Sequence, residues 1–427
     1  MKNHHIDTLC VQAGHTPQGG DPRVLPIVQS TTFKYDTCDA MGQLFDLEAA
    51  GYFYSRLANP TCDTVAQKIA ALEGGVAAML TASGQAASFF SLFNICGAGD
   101  HIVSTGPLYG GTFNLFNVTM RKMGIAFTFV DPDNDIEVLR QAFQANTKAV
   151  FAESLSNPSG VVLDIEKFAA LAHEHQVPLI VDNTFPTPIH CRPFEWGADI
   201  VVHSTTKYMD GHATSVGGAL VDSGNFDWSR FPDKYPGLCQ PDPSYHGLVY
   251  TERFGKGAYI TKAVAQLMRD LGASPAPMNA FLLNIGLETL HLRMRRHSEN
   301  ALAVAKFLEN HPRVAWVNYC ALPSSKYFGL CQKYLPNGAS GVIAFGVQGG
   351  REASVAFMER LTLGAIVTHV ADARTSLLHP ASTTHRQLSE AELIEAGVSQ
   401  DLIRLSVGIE NAEDIVRDLE KALAVDS

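Results

Sequence analysis

Short apolar runs recur through the middle of the chain, each separated from the next by a stretch of helical periodicity. The runs are HIVST (101–105), IAFTFV (125–130), KAVFAES (148–154), PLIVDN (178–183) and DIVVHS (199–204). Each is five to seven residues long and rich in β-branched and aromatic side chains, which predicts strands buried on both faces. IEVLRQAFQAN (136–146) and DIEKFAALAHEHQ (164–176) lie between them and read as helices. PTCDTVAQKIAALEGG (60–75) opens on Pro60 and closes on Gly74 and Gly75, the start and stop signals of a helix. Strand and helix in alternation predict a mostly parallel sheet covered on both faces, an α/β fold.

The pattern changes at both ends of this segment. Residues 1–58 are irregular, with clusters such as AGHTPQGGDPRVLPIVQSTTF, too long for a simple connector, and read as an arm wrapped on another surface. Around 224–256 the chain is polar and aromatic, with Pro232, Pro236, Pro241 and Pro243, as in a long functional loop or a junction. Long helical patterns follow, AYITKAVAQLMRDLG (258–272) and a continuous one over 278–312. GVIAFGVQGG (341–350) and a final helix at 411–425 complete what reads as a smaller α/β domain. The expected division is 1–58, 59–257 and 258–427.

Composition narrows the function. The chain has 427 residues, 46% hydrophobic and 18% charged, and a formal net charge of −11. That charge argues against nucleic acid or an anionic membrane as partner. RMRRH (293–297) reads as one solvated helix face. The eight cysteines form no C-x-x-C pair, so no metal site is expected and a reducing cytoplasm fits. MKNHHIDTLC has no apolar leader core, and no run of about 18 apolar residues predicts a membrane span.

Four features of the middle segment carry candidate chemistry. TASGQAA (81–87) leads into an apolar helix, so Ser83 and Gly84 present either an anion site of free N–H groups or a plain serine cap. Asp182 ends an apolar strand, where ligands bind in parallel sheets; it holds a protonated ring nitrogen or closes a turn. Lys207 follows 25 residues later, room for one more strand–helix unit, with Ser204 and Thr206 beside it offering hydroxyls to a phosphate. A desolvated lysine there loses its proton readily and becomes a nucleophile. Tyr109, in PLYGGTFNLF, is a stacking and proton-moving candidate or a core aromatic. A phosphate cradle, a carboxylate, a flat aromatic and a Schiff-base lysine together describe pyridoxal 5′-phosphate. Neither a GxGxxG nor a GxxxxGK[ST] run is present.

These residues sit in longer motifs: YSRLANPT (54–61), TASGQAA, LYGGT (108–112), SLSNPSG (154–160), VDNTF (181–185), HSTTKYMDGH (203–212), HPASTTH (379–385) and RLSVGIE (404–410). Over nearly the whole chain they resemble the Cys/Met-metabolism family of fold-type I pyridoxal phosphate enzymes, with YHGLVY (245–250) pointing to its O-acetylhomoserine sulfhydrylase branch. The resemblance implies γ-replacement on O-acetyl-L-homoserine by sulfide or a small thiol, with γ-elimination as the alternative. It implies that Lys207 bonds the cofactor, Asp182 pairs with its ring nitrogen and Tyr109 stacks on the ring. Ser83, Gly84, Gln85, Ser204 and Thr206 would hold the phosphate, and Asn157 the phenolic oxygen and the substrate. Arg404 would clamp the substrate carboxylate. Tyr54 and Arg56 would reach the phosphate of a neighbouring subunit, which implies a homotetramer built of two catalytic dimers. Two positions depart from the pattern. Gly111 stands where the related γ-lyases carry cysteine. His369 stands where relatives carry serine or asparagine, and is a substrate contact or a packing histidine. Arg374, in the same loop, is a second candidate anion contact.

Overall fold

The computed structural model describes residues 4–384, 386 and 399–424. Seven strands form the larger sheet: β1 (Ala77–Thr81), β2 (His101–Thr105), β3 (Ala126–Val130), β4 (Thr147–Glu153), β5 (Leu179–Asp182), β6 (Ile200–His203) and β7 (Gly218–Asp222). Their order is β1-β7-β6-β5-β4-β2-β3. The five strands expected from the apolar runs, β2 to β6, are parallel to their neighbours among one another. β7 runs antiparallel to both β1 and β6. Thus β1 and β2 to β6 all end at one edge of the sheet, and the loops that leave this edge build the site.

Both faces are covered, which is why the strands read as unbroken apolar runs. Along β5, Leu179 and Val181 pack into one core and Ile180 into the other. Val201 of β6 and Val150 of β4 join the first core; Ile200, Val202 and Phe151 join the second.

The second sheet is β8 (Val314–Asn318), β9 (Val342–Val347), β10 (Ala365–Ile366), β11 (Ser376–Leu378) and β12 (Leu402–Ser406), in the order β10-β11-β12-β9-β8. It is antiparallel except between β10 and β11. Ile343 of β9 and Leu405 of β12 belong to the same core as Val181 and Tyr208, so apolar packing runs unbroken between the sheets. That contact brings β12, and with it Arg404, to the strand-end edge.

Several expectations are corrected. Residues 4–58 hold two short helices, Ile6–Gln12 and Cys38–Phe45, in an otherwise irregular course. The helix expected over 136–146 stops at Arg140, because 141–146 form turns that lead into β4. The pattern over 278–312 is two helices, Pro277–Glu288 and Leu290–Glu309, broken at Thr289. The stretch 258–272 is helical but carries a π-helical turn at Ala263–Met268. RMRRH is not one solvated face: Arg293 and His297 are buried. Arg293 donates to the carbonyls of Tyr208 (2.7 Å) and Gly286 (2.6 Å) and to the Thr289 hydroxyl (3.2 Å). The HPASTTH motif ends at His385, outside the described residues.

Candidate active site

A cavity of about 240 Å³ opens at the strand-end edge of the larger sheet. The first wall is the helix Gly84–Phe93, which starts directly after β1. Ser83 is its cap, its hydroxyl accepting the Ala86 N–H at 3.1 Å. The first N–H groups of a helix have no partner within it, and Gly84 and Gln85 line the cavity. A Cβ on Gly84 would lie 2.6 Å from the Cβ of Ser204, so only glycine lets the two loops approach. Thr206 gives its hydroxyl proton to the Gly217 carbonyl (3.1 Å) and accepts the Gly217 N–H (3.0 Å). Ser204 is therefore the freer hydroxyl. The cradle combines a helix N-terminus with a close-packed serine, which suits an anion.

Asp182 lies at the end of β5. Its Oδ1 accepts the N–H (3.0 Å) and the hydroxyl (2.5 Å) of Thr184, closing a turn as one reading of the sequence held. Its Oδ2 has no partner among the described residues, and Asp182 lines the cavity. Burial pushes its pKa up, while Thr184 and the nearby His203 pull it down. Behind it, on the far side of the sheet, His203 Nε2 meets Glu73 Oε1 at 2.6 Å, and Asn183 donates to the same oxygen at 3.0 Å.

Lys207 stands in the turn after β6. Burial and then the charge of Arg404 push its pKa down to about 8. Its Nζ has no hydrogen-bond partner among the described residues. The next carbonyls, of Tyr208 and Met209, are held by Arg293, which fixes the turn. Tyr109 is half exposed and lines the cavity, so it is not a core aromatic. Asn157 leaves its Oδ1 buried without a partner. Arg404 donates through Nη2 to the carbonyls of Thr368 (3.0 Å) and His369 (3.2 Å), yet its Nε is buried and unpaired. Burial lowers its pKa to about 10, so it stays charged at neutral pH.

Four expected residues lie elsewhere. Tyr54 and Arg56 line a separate cavity of about 620 Å³ beneath the N-terminal segment, the Arg56 guanidinium 5.1 Å from the Tyr54 ring centroid. His369 and Arg374 are not among the residues that line the site cavity. The His369 Nε2 is buried without a hydrogen-bond partner, 3.8 Å from Asp372, and its chain neighbours Thr368 and Val370 both line the cavity. Arg374 is bonded to Asp372 (3.3 Å) and to the His212 carbonyl (3.0 Å) and points to solvent. Sequence reasoning missed Glu153, which ends β4 and lines the cavity. Its signal was available, since an acidic residue closes the apolar run KAVFAE as Asp182 closes LIVD.

The residues present fit pyridoxal phosphate. The buried orphans Asn157 Oδ1 and Arg404 Nε, the open Asp182 Oδ2 and the bare Lys207 amine all need partners that a ring, a phosphate and an amino acid provide. At Gly111 a Cβ would lie 2.6 Å from the Tyr109 ring and 2.7 Å from the Gln85 amide. A side chain there displaces one of them.

Comparisons with known proteins identify the family. The family model described as Cys/Met metabolism PLP-dependent enzyme matches residues 7–424. The chain is 46% identical over 427 residues to a homocysteine synthase of Schizosaccharomyces pombe, covering 100% of this chain and 99% of that one. It is 45% identical over 435 residues to an O-acetyl-L-homoserine sulfhydrylase of Leptospira meyeri, covering 99% and 97%. A crystal structure described as a putative O-acetylhomoserine (thiol)-lyase of Campylobacter jejuni superposes with a TM-score of 0.95 at 39% identity, over 98% of this chain and all of that one. That structure carries an N′-pyridoxyl-lysine-5′-monophosphate. This chain belongs to the Cys/Met metabolism family of PLP-dependent enzymes.

Proposed function

We propose that the protein is an O-acetylhomoserine sulfhydrylase: it replaces the acetate on the γ carbon of O-acetyl-L-homoserine with sulfide or methanethiol, giving L-homocysteine or L-methionine. The observation that carries this is the bare Lys207 amine and the open Asp182 oxygen in one cavity, beside a helix N-terminus and an unpaired buried guanidinium. Bound pyridoxal phosphate supplies an aldehyde for the substrate amine and a ring that accepts electron density from its α carbon.

The chain's own groups do the rest. Gly84, Gln85 and Ser204 receive the phosphate, with the capped Ser83 fixing the helix start and Thr206 pinned to Gly217. Asp182 Oδ2 holds the proton on the ring nitrogen, and Asn157 meets the phenolic oxygen. Lys207 holds the cofactor in the resting state and, once displaced by substrate, takes the α proton at Nζ. Its lowered pKa suits a base working near neutrality. Arg404 binds the substrate α-carboxylate, forked by its hold on the Thr368 and His369 carbonyls. Tyr109 covers the ring and moves a proton at its hydroxyl.

The arm supplies Tyr54 and Arg56 to the cofactor phosphate of a second copy, within a homotetramer of two catalytic dimers. The enzyme works in the cytoplasm, and among the described residues no helix is long and apolar enough to cross a membrane. The crowding at Gly111 favours replacement over γ-elimination, because the cysteine of the γ-lyases would not fit beside Tyr109 and Gln85 as they stand. The test has two parts. Borohydride reduction and peptide mapping should place the pyridoxyl group on Lys207. O-acetyl-L-homoserine with sulfide should then give homocysteine far faster than methionine alone gives ammonia and 2-oxobutanoate; the opposite ratio makes the protein a lyase.

A further inference from the structure

Glu153 and Asp182 are register partners on the adjacent strands β4 and β5, and both line the site cavity. Asp182 has a role in the proposed reaction; Glu153 has none. Its side chain is buried and no lysine or arginine forms an ion pair with it among the described residues. Instead Oε1 accepts the Tyr109 N–H at 2.6 Å, and Oε2 accepts the Asn157 N–H at 3.3 Å. Those two residues leave different strands, Tyr109 after β2 and Asn157 after β4. One carboxyl therefore joins the two loops that carry the ring-facing tyrosine and the buried, unpaired amide oxygen.

Two carboxyls facing one enclosed space cannot both ionise cheaply. Asp182 has the Thr184 hydroxyl and N–H and the nearby His203 in its favour. Glu153 has burial and then Asp182 itself against it, and its pKa is driven well above its ordinary value. Burial and the neighbouring Asp182 thus push Glu153 toward its neutral form, against the pull of the Tyr109 and Asn157 N–H groups. A neutral carboxyl still has oxygen lone pairs for both N–H groups, so its value here is as a bracket rather than as a charge.

We infer that Glu153 is a positioning residue whose carboxyl brackets the backbones of Tyr109 and Asn157 and so sets the stacking ring and the amide against the cofactor. The inference rests on the cofactor reading above. It goes beyond that reading in assigning the second carboxyl of the pair a geometric task that a neutral side chain can perform.

The test compares Glu153→Ala, Glu153→Gln and Glu153→Asp as holoenzymes. Glu153→Ala should keep the visible absorbance of bound cofactor, reducible onto Lys207, while the visible circular dichroism collapses. Its kcat should fall roughly a hundredfold, the order of loss for a displaced catalytic group, with KM within about threefold. Glu153→Gln keeps the oxygen for the Tyr109 N–H; it should restore most of the dichroism and bring kcat within about tenfold of wild type. Wild-type dichroism and kcat in Glu153→Ala would overturn the inference, as would a Glu153→Gln as impaired as Glu153→Ala. If Glu153→Ala does not fold, the order decides: Glu153→Gln above Glu153→Asp, whose shorter arm cannot reach both loops, supports the bracket, and any other order overturns it. A wild type that takes up no pyridoxal phosphate refutes the cofactor reading itself, and the same absorbance scan separates that result.

Discussion

Two lysines with desolvated amines, the half-buried Lys207 and the buried Lys262, lie near opposite ends of the helix Gly84–Phe93, and desolvation does the same thing to both. Lys207, at the site, and Lys262, beneath the far end of that helix, each have a pKa lowered to about 8, desolvation being the first cause. Their surroundings differ. Lys262 donates to the Asn94 carbonyl at 2.7 Å and to its side-chain oxygen at 3.2 Å. Lys207 has no such acceptor, and after burial the positive charge of Arg404 is what lowers its pKa. Two buried arginines repeat the contrast. Arg293 and Arg404 are both lowered to about 10. Arg293 has its donors on carbonyls of its own fold, whereas Arg404 leaves Nε unpaired. A shifted pKa thus marks burial; the missing partner marks the site.

The largest expected effect tests the lysine half of this contrast. Lys207→Ala should cut turnover by roughly 10³-fold or more and remove the site of borohydride labelling. Lys262→Met should leave kcat per folded molecule near wild type and lower stability by about 1–3 kcal/mol in a urea titration, because the Asn94 oxygens lose their donor. Equal losses of turnover in the two variants would show that partnering does not separate catalytic from structural lysines here.

The arginine half predicts a smaller change. Arg404→Lys keeps a charge but loses the fork, and should raise KM for the amino-acid substrate by roughly 10²-fold while thermal stability changes little. Arg293→Lys should do the reverse, holding KM while lowering the melting temperature, since three backbone carbonyls lose a common donor. A KM shift in both would mean that the turn after Lys207 transmits Arg293's loss into the site.

The same contrast explains what was legible in the sequence. Lys207, Asp182 and Gly84 could be found because each breaks a local rule: a cation, an anion or a bare backbone at the end of an apolar run. β2 to β6 were readable because burial on both faces leaves few polar letters. β1 and β7 were not, since AAMLT and GALVD are rich in small residues, and their pairing is decided by neighbours far along the chain. Glu153 has the same local signature as Asp182, but nothing in FAES reveals that its carboxyl turns to Tyr109. Arg293 was misread because RMRRH carries no record of which helix face meets the turn after Lys207. His369 and Arg374 were placed by motif position; Thr368 and Val370, on either side of His369, line the cavity, while His369 and Arg374 do not.

The smallest effect is a pH profile, and its sign follows from the lowered amine pKa. Only the unprotonated amine condenses with an aldehyde. For the cofactor-free protein, the rate of pyridoxal phosphate uptake should rise about tenfold per pH unit below 8 and level off above it. An unperturbed lysine would keep rising toward about 10.4. Arg404 is the second cause of the depression, so Arg404→Met should move the midpoint upward, while Arg293→Lys should leave it in place. Lys262 shares the depressed value yet should contribute nothing to uptake, because its amine is engaged with Asn94 and faces no cavity that holds the phosphate cradle. A midpoint unmoved by Arg404→Met would leave burial as the sole cause and remove the electrostatic link between Arg404 and the amine. The two cations would then share the cavity without one easing the proton from the other.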